Sequence, residues 1–299
     1  MRHPFILTLT SVIVAASSAS TYATTIIHDS TSVDIEFVNI GNLDNTGDTA
    51  NSVNGNNPGS VAYNYSIGKY EVTAAQWSTV LSADSNIGNA GTWSGNQPTA
   101  NTSWYEAAKF ANWLTSGDAL IGAYSFSDAT TLTGIDRATA LSTYGTIYVL
   151  PNENEWYKAA YLKSDGSGYT LYATGDTLPT AGSDANYDSA NSSPWNVGTG
   201  TIENNGTYDM GGNVWEWNED AFDGTLDNLS ESRVKRGGAW NVNSNGIKSS
   251  HRSSTNPVTV SNLNGFRIAS ITNVAVPEPS SAALLAIGAI ACLAHKKRR

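Results

Sequence analysis

The sequence GTYDMGGNVWEW at residues 206–217 decides the fold. Two adjacent glycines lie between two acidic residues, Asp209 and Glu216. Because glycine tolerates backbone angles that other residues avoid, this segment can turn its carbonyl oxygens toward one point. We expect Trp215 and Trp217 to pack on alternate sides of the segment and to hold it rigid. The pattern predicts a rigid, oxygen-rich turn inside a packed framework.

Four further segments accompany this one along the chain. They read IGKYEVTAAQW (67–77), QPTANTSWYEAAKFANWL (97–114), YVLPNENEWYKAAY (148–161), and RVKRGGAW (233–240) with NGFRIA (264–269). In this order the five segments resemble the formylglycine-generating-enzyme family, also called the sulfatase-modifying factor family. The resemblance implies an α+β fold: a single irregular C-type-lectin-like domain with low regular secondary structure, short helices and short strands. We place this domain at residues 24–275.

Local patterns agree with a loop-rich α+β domain. VDIEFVNI at 33–40 alternates apolar and polar residues, which is typical of a strand. Helices are expected to begin after Thr73, Ser103 and Asn152, where a Gln or Glu three residues on completes a capping box. Residues 163–207 are rich in Gly, Asn, Asp and Ser, so we expect long loops there.

The first 23 residues have the pattern of a secretory signal peptide. An apolar run from Phe5 to Ala16 follows Arg2, and small residues come next. We expect cleavage between Ala19 and Ala23, and a buried N-terminal helix is the alternative.

The last segment, residues 276–299, combines a Pro-Glu-Pro triplet, an apolar stretch and a basic tail. The apolar stretch, about 13 residues, is shorter than the ~20 that span a bilayer comfortably. The three parts resemble the PEP-CTERM sorting signal, which implies a short membrane helix that an exosortase-type peptidase processes. A plain C-terminal anchor is the alternative. We expect export across the cytoplasmic membrane to the cell envelope, cell surface or extracellular matrix, with transient anchoring by the C-terminal helix.

Acidic residues outnumber basic ones by 26 to 16, and the formal net charge is −10. Arg2 and the basic run 296–299 lie in the terminal segments, so the domain itself is more acidic still. This balance argues against nucleic acid as a partner, because phosphates need positive charge. The single cysteine, Cys292, also lies in the sorting segment, which leaves the domain without a disulfide or a thiolate metal ligand.

The resemblance also implies a structural calcium ion at residues 206–217. By similarity to the family's calcium site, Asp209 and Glu216 would supply carboxylates, and Gly212 and Val214 would supply backbone carbonyls. Such hard oxygen ligands favour calcium over transition metals. The alternative is an acidic turn that hydrogen bonds alone stabilise.

A second family calcium site would fall in the long loop before this segment. Asn186 and the Tyr187 carbonyl would be its ligands, with Asp188 as a further candidate. An acidic turn without a metal is again the alternative.

The family's copper-dependent oxidase site is not expected in this chain. In the family, two cysteines that follow a Gly-Gly-Ser motif bind the metal. Here the motif ends in Ala239, and the cysteine positions match Val242 and a position near Ile247. Hydrocarbon side chains cannot bind Cu(I), which prefers soft sulfur. We therefore expect no copper and no formylglycine-generating oxidase activity.

Residues 239–264 correspond to the active-site face of the family's enzymes and are dominated by Asn and Ser. Short polar side chains with an aromatic residue on a rigid scaffold form adaptable recognition surfaces. We therefore predict a non-catalytic domain that binds an extracellular protein, peptide or glycan through residues 240–256. The predicted ligand-binding residues are Trp240, Asn241, Asn243, Asn245 and His251.

The alternative function is an enzyme of altered chemistry on the same scaffold. Its candidate acid–base groups would be Glu219, Asp220 and His251. Such groups must reach one substrate to act together, so their spacing decides between the two functions. Arg252 is expected to brace the framework through its fork of donors.

Overall fold

The computed structural model describes residues 20–52 and 55–273. Within them, four α-helices and eleven short strands are separated by long irregular loops, which is the α+β class predicted above. The helices are α1 (Ala74–Ala83), α2 (Trp104–Ser116), α3 (Arg137–Tyr144) and α4 (Glu153–Tyr161). The strands are β1 (Thr21–His28), β2 (Thr31–Ile40), β3 (Tyr65–Gly68), β4 (Tyr124–Phe126), β5 (Leu132–Ile135), β6 (Thr146–Val149), β7 (Trp215–Ala221), β8 (Arg233–Arg236), β9 (Ser253–Thr255), β10 (Asn264–Gly265) and β11 (Ala269–Thr272).

Two main sheets organise the loops. The larger sheet has the order β1-β2-β3-β11-β6 and is antiparallel throughout. The smaller sheet has the order β10-β7-β8-β9, in which the β10–β7 pair is parallel. β11 comes from the end of the described chain and lies between β3 and β6. The larger sheet is therefore complete only when this last segment is in place.

The strand predicted at 33–40 is confirmed as part of β2, and its apolar side chains are buried. β1 pairs with β2 along its whole length. Residues 21–23, which the sequence pattern places in the signal peptide, form the beginning of β1. A cut after Ala19 would keep this strand whole, whereas a cut after Ala23 would shorten it. The rest of the predicted signal peptide lies outside the described residues.

The three predicted helix starts are confirmed. Thr73, Ser103 and Asn152 each accept a hydrogen bond from the backbone amide three residues on. The Gln or Glu at that position accepts one from the amide of the capping residue, which completes each capping box. Helix α3 was not predicted, because it buries only Ala140 and so lacks an apolar face.

The largest core cluster forms where α1 and α2 meet the end of the chain. Trp77 of α1 stacks on Phe110 of α2 with ring centres 5.7 Å apart. Phe266, from the NGFRIA segment, packs edge-on against these two rings at 6.1 and 5.5 Å. Burying an aromatic side chain of this size contributes about 1.5–3 kcal/mol. The C-terminal motif is thus part of the core.

Residues 163–207 contain no helix or sheet strand, as their composition predicts. Over the ranges that the structure describes, no helix has both the length and the apolar character needed to cross a bilayer. The predicted sorting segment at 276–299 lies outside those ranges.

Candidate functional site

A buried ion pair lies at the centre of the framework. The guanidinium of Arg267 binds the carboxylate of Glu216 through two nitrogens, at 2.6 and 2.7 Å, and both side chains are fully buried. The Trp156 indole donates a further hydrogen bond to Glu216 at 2.7 Å. Arg267 also donates to the carbonyl oxygens of Gly68 and Tyr208. Because each charge is met by several hydrogen bonds, the pair can be buried without an unpaired charge.

Three more carboxyl groups lie buried around this pair, on Glu71, Glu203 and Asp209. Glu71 and Glu203 each accept two hydrogen bonds from nearby amides and side chains. Burial raises the pKa of all three groups, that of Glu203 to about 8, although Arg267 acts to lower it. The Arg267 guanidinium thus pairs with Glu216 and is the positive charge that acts on the other three carboxyl groups. With a pKa of about 8, Glu203 is mostly protonated at neutral pH. We call these five residues the Arg267 centre.

Asp209 closes the turn that precedes the two glycines. Its carboxylate oxygens accept hydrogen bonds from the Trp195 indole and the Gly198 amide, both at 2.7 Å. Gly212 has φ = 102°, and a Cβ there would lie 2.3 Å from the Asn186 carbonyl oxygen. The two segments predicted to bind calcium therefore pack directly against each other.

The segment 239–251 is tied to the same turn by backbone hydrogen bonds. The Trp240 amide donates to the Asn213 carbonyl at 2.8 Å. The amides of Asp188 and Ser189 donate to carbonyls of this segment at 2.6 and 2.8 Å. These bonds seat the start of the segment on a rigid part of the fold.

Two apolar side chains close over Gly238 inside this segment. A Cβ at Gly238 would lie 2.9 Å from Cγ2 of Val242 and 3.0 Å from Cγ2 of Ile247, so both side chains meet at one backbone point. Ile247 is buried in a cluster with Tyr172 and Tyr187, and Val242 packs against that cluster. The base of the segment is therefore hydrocarbon.

The outer side chains of the segment are polar. Trp240 and His251 are partly buried, and the His251 ring lies 5.5 Å from the Trp215 ring. Desolvation lowers the pKa of His251. The Trp240 indole N–H has no hydrogen-bond partner among the described residues. Three asparagines of the segment are exposed: Asn241, Asn243 and Asn245.

A polar pocket of about 120 Å³ opens beside the end of this segment, with Glu153, Asp220 and Arg252 in its lining. Arg236 and Arg252 bind the Glu153 carboxylate at 2.6 and 2.7 Å. Burial acts to raise the pKa of Glu153, but these two arginines lower it overall. Asp220 accepts a hydrogen bond from the Glu153 amide, and burial raises the Asp220 pKa to about 6.

A family model described as the sulfatase-modifying factor enzyme 1-like domain matches residues 34–271. The chain belongs to this family. The match begins within β2 and ends within β11, so it includes the Arg267 centre, the turn at 206–217 and the segment 239–251.

Solved structures confirm the fold. Treponema denticola variable protein 1 is 23% identical with a TM-score of 0.62, and the alignment covers 83% of this chain and 98% of that chain. PvdO from Pseudomonas aeruginosa is 20% identical with a TM-score of 0.56, over 79% of this chain and 94% of that chain. At these identities the likeness is one of fold alone. The predicted irregular C-type-lectin-like α+β domain is confirmed.

One curated relative matches part of this chain at the level of sequence. The serine/threonine-protein kinase Pkn1 of Chlamydia trachomatis serovar L2 is 33% identical over 133 residues, which are 40% of this chain. The chain spans only 20% of that kinase's length, so the kinase activity of the whole protein does not transfer with the match.

At the positions that the resemblance assigns to the family's copper ligands, the residues of this chain do not fit the metal. Val242 and Ile247 carry only carbon in their side chains, and Ala239 replaces the neighbouring hydroxyl. Cu(I) needs soft sulfur donors, and no such donor lies in this segment. No step of an oxidase reaction can therefore be assigned to these residues.

In its observed conformation, the Glu216 side chain does not fit the predicted calcium site. Both of its carboxylate oxygens are held by Arg267, and one also by Trp156, so a cation would have to approach a buried guanidinium. No group of three or more His, Cys, Asp or Glu side chains in the described residues is arranged to hold a metal. Calcium at 206–217 stays a prediction that chelation can test.

The second predicted calcium segment is held by hydrogen bonds among its own residues and to Asn213 of the first. The Asn186 side chain accepts from Asn191 and donates to Asn213 and to the Ser193 carbonyl. The Tyr187 carbonyl accepts from the Ala190 amide. Calcium at this second segment likewise stays a prediction.

The candidate acid–base groups of the enzyme alternative have different partners in the structure. The Glu219 carboxylate binds Arg137 and the Tyr124 hydroxyl. Asp220 binds the amide of Glu153 instead, and His251 packs on an indole ring. The three groups share no hydrogen-bond partner in the described residues. Of the three, only Asp220 lines the polar pocket.

The expectation that Trp215 and Trp217 pack on alternate sides is wrong. Both belong to β7, and residues two apart in a strand share a face. The Lys235 ammonium lies 5.6 Å from each of their ring centres and donates to Asn264 at 3.0 Å.

The predicted bracing role of Arg252 is confirmed, because it binds Glu153 and the Phe222 carbonyl.

Sequence reasoning missed the pairing of Glu216 with Arg267. A signal was present, since each charge stands alone inside an apolar run, NVWEW in one case and GFRIA in the other. A charge in such a run is buried with its neighbours and must then find an opposite charge. The sequence does not show which of the buried acids is the partner.

Proposed function

We propose that this protein is a non-catalytic recognition domain of the sulfatase-modifying factor family that acts outside the cytoplasmic membrane. It binds an extracellular protein, peptide or glycan through the segment 239–251. One observation carries the proposal: Val242 and Ile247 form a hydrocarbon base at Gly238 in a segment whose three asparagines are exposed. The resemblance assigns positions at or near these two residues to the family's metal-binding thiols. Recognition is the function that this combination supports best.

The way the segment is held supports binding. Its first residues are fastened by backbone hydrogen bonds, and its apolar base is packed, so little conformational freedom is lost when a ligand is bound. Exposed amide side chains donate and accept hydrogen bonds without a charge that must be desolvated. Such a surface suits the polar groups of a peptide or a glycan equally well.

Export to the envelope rests on the two terminal sequence patterns. The N-terminal signal peptide, with cleavage between Ala19 and Ala23, would direct the chain across the cytoplasmic membrane, and the segment 276–299 would be recognised by an exosortase-type peptidase. The acidic charge balance of the domain agrees with a partner other than nucleic acid.

The proposal is tested by capture of envelope material with the purified full-length chain. The test variant is Asn241→Ala, Asn243→Asp, Asn245→Asp, which keeps the side-chain oxygens that accept from the Asn245 amide and Lys248. We expect about tenfold less of the captured protein or polysaccharide, as for loss of an interface hot spot.

A matched control carries the same exchanges at exposed asparagines elsewhere. In Asn57→Ala, Asn86→Asp, Asn96→Asp the charge change is identical, so capture should equal that of the wild type. Equal capture by the test variant and the wild type would contradict the proposal, provided that both melt at the same temperature.

A second candidate function, an enzyme of altered chemistry, rests on Asp220. Its carboxyl group lies in the polar pocket with a pKa raised to about 6, so it can exchange a proton near neutral pH. Glu153, the other acid of the pocket, is neutralised by two arginines, which leaves Asp220 without a second free acid–base group there. Hydrolysis of an envelope polymer that Asp220→Asn abolishes would support this candidate over the first.

A further inference from the structure

The larger sheet carries a groove of about 410 Å³ that is separate from the segment 239–251. β1, β2, β3 and β11 supply most of its lining, which contains no acidic, basic or histidine side chain. The chain has a net charge of −10, so a groove of this size without a carboxylate differs in charge from the acidic composition of the chain as a whole. Its polar and aromatic lining residues are Tyr22, Asn39, Asn64, Tyr65, Ser66, Ser270 and Thr272.

Strand register places short polar side chains in one row across the sheet. Asn39 of β2 pairs with Ser66 of β3, Ser66 pairs with Ser270 of β11, and Ser270 pairs with Tyr148 of β6. Neighbouring strands are ~4.8 Å apart, so this row presents an amide and two hydroxyl groups at regular intervals. Residues that pair across strands in this way lie on the same face of the sheet.

Aromatic rings lie beside this polar row. Tyr22 is 38% exposed and stacks on Phe37 with ring centres 5.8 Å apart, and Phe37 stacks on Tyr148 at 5.9 Å. Because a buried ring supports it, the Tyr22 ring is held in place while part of it faces solvent. A supported aromatic ring offers an apolar surface at little cost in conformational entropy.

Part of the hydrogen-bonding capacity of the groove is unused by the protein. The Ser66 hydroxyl donates to the Asn39 side chain at 2.7 Å, but it keeps its acceptor sites. The hydroxyl groups of Tyr22 and Ser270 have no partner among the described residues. Ser66 and Ser270 are only 8% and 5% exposed, so their hydroxyls lie at the base of the groove, whereas Tyr22 is accessible at its side.

We propose that this groove is a binding site for a neutral saccharide. An ionic ligand would find no opposite charge in the lining, and an apolar ligand would strip water from the amide and hydroxyl row without replacing its hydrogen bonds. A sugar ring meets both requirements, because its C–H face packs on an aromatic ring while its hydroxyls bond to the polar row. The site is independent of the recognition segment proposed above.

Calorimetric titration of the full-length chain with three neutral oligosaccharides, cellohexaose, maltohexaose and mannohexaose, tests this site. We expect at least one of them to bind with a Kd between about 0.1 and 1 mM. Tyr22→Ala should weaken this binding about tenfold, and Ser270→Val should weaken it without removing the aromatic surface. The control Ile27→Ala, at a residue of β1 that is 64% exposed, should bind as the wild type does.

Three results would overturn the proposal. One is the absence of binding by all three sugars at about 5 mM. Another is binding that neither Tyr22→Ala nor Ser270→Val changes. The third is a mature N-terminus after Ala23, which would remove Tyr22 from the exported protein. The triple asparagine variant of the segment 239–251 should bind these sugars normally, so failure of either proposal leaves the other standing.

Discussion

The Arg267 centre and the segment 239–251 contact the same turn of the chain, but their side chains differ in kind. Asn213 connects them, since its side chain donates to Glu71 and its carbonyl accepts from the Trp240 amide. The side chains of the centre are buried and carry ionisable groups, and each of them forms hydrogen bonds with neighbouring backbone or side-chain groups. The segment has a hydrocarbon base and a polar exterior that contains three exposed asparagines and Lys248.

This difference indicates that the chain keeps the family's framework motifs and differs in the segment 239–251. The motifs that build the framework, NVWEW and GFR, keep their charged residues and place them in one ion pair. The resemblance predicts valine and isoleucine at or near the positions where the family's enzymes carry reactive thiols. A scaffold retained without its reactive groups can still present a surface, and so we place the function there.

The largest effect is expected from breaking the Arg267 centre. Arg267→Met leaves Glu216 buried without its counter-charge and should lower the free energy of unfolding by about 3–5 kcal/mol. The control Glu36→Gln removes a partly exposed ion pair with Lys69 and should cost less than about 1 kcal/mol. Urea unfolding of both variants measures the difference. Equal losses would mean that the framework does not depend on the buried pair.

The pH dependence of stability should come from the same centre. Burial raises the pKa of Glu203 to about 8 in the folded state, above its usual value of 4.5. Its contribution to stability is complete below pH ~4.5 and is lost as the pH rises through ~8, with a slope of up to about 1.4 kcal/mol per pH unit.

Glu203→Gln should remove that slope. Relative to the wild type, the variant should become progressively more stable as the pH is raised from about 5 to about 8. Urea unfolding at a series of pH values measures this change. Parallel stability curves for the two proteins would show that Glu203 ionises normally in the folded state.

A smaller effect on stability is expected in the segment 239–251, together with a gain of metal binding. Val242→Cys with Ile247→Cys removes buried carbon and should cost about 1–3 kcal/mol. Both side chains meet at Gly238, so the two thiols should bind Cu(I), which competition with a chromogenic chelator measures. If the double variant binds no more Cu(I) than the wild type does, these positions do not correspond to the family's metal ligands.

The smallest effect is expected from removal of divalent cations. Because Arg267 already supplies much of the positive charge that Glu216 requires, removal of the predicted calcium ion by EDTA should lower the melting temperature only slightly, by about 1–2 °C. A clear fall that calcium reverses, and that Asp209→Asn abolishes, would support the calcium prediction at residues 206–217.

Local chemistry explains what could be predicted from the sequence. The three capping boxes depend on residues three positions apart, and all three begin helices where expected. The alternation in β2 depends on neighbours two positions apart. The resemblance of the five motif segments to the family was sufficient to predict the fold class, because each segment is distinctive by itself.

Contacts between distant residues explain what could not be predicted. Glu216 and Arg267 are 51 positions apart, and nothing in the sequence excludes Glu71 or Glu203 as the partner of the arginine. Trp215 and Trp217 share a face because they belong to a strand. The glycines that precede this strand favour a turn, so the sequence did not predict a strand there. The groove on the larger sheet depends on the register of four strands, and one of these begins in residues that resemble a signal peptide.

The central claim is that recognition has replaced oxidation in this chain. The most direct test is incubation of the purified full-length protein with Cu(I), oxygen and a sulfatase-type peptide that contains one cysteine, followed by mass spectrometry of the peptide. We predict that the cysteine is recovered unchanged, at the level found without protein. Conversion of the cysteine to formylglycine would contradict the claim, because it would show that the segment 239–251 oxidises thiols without a thiol of its own.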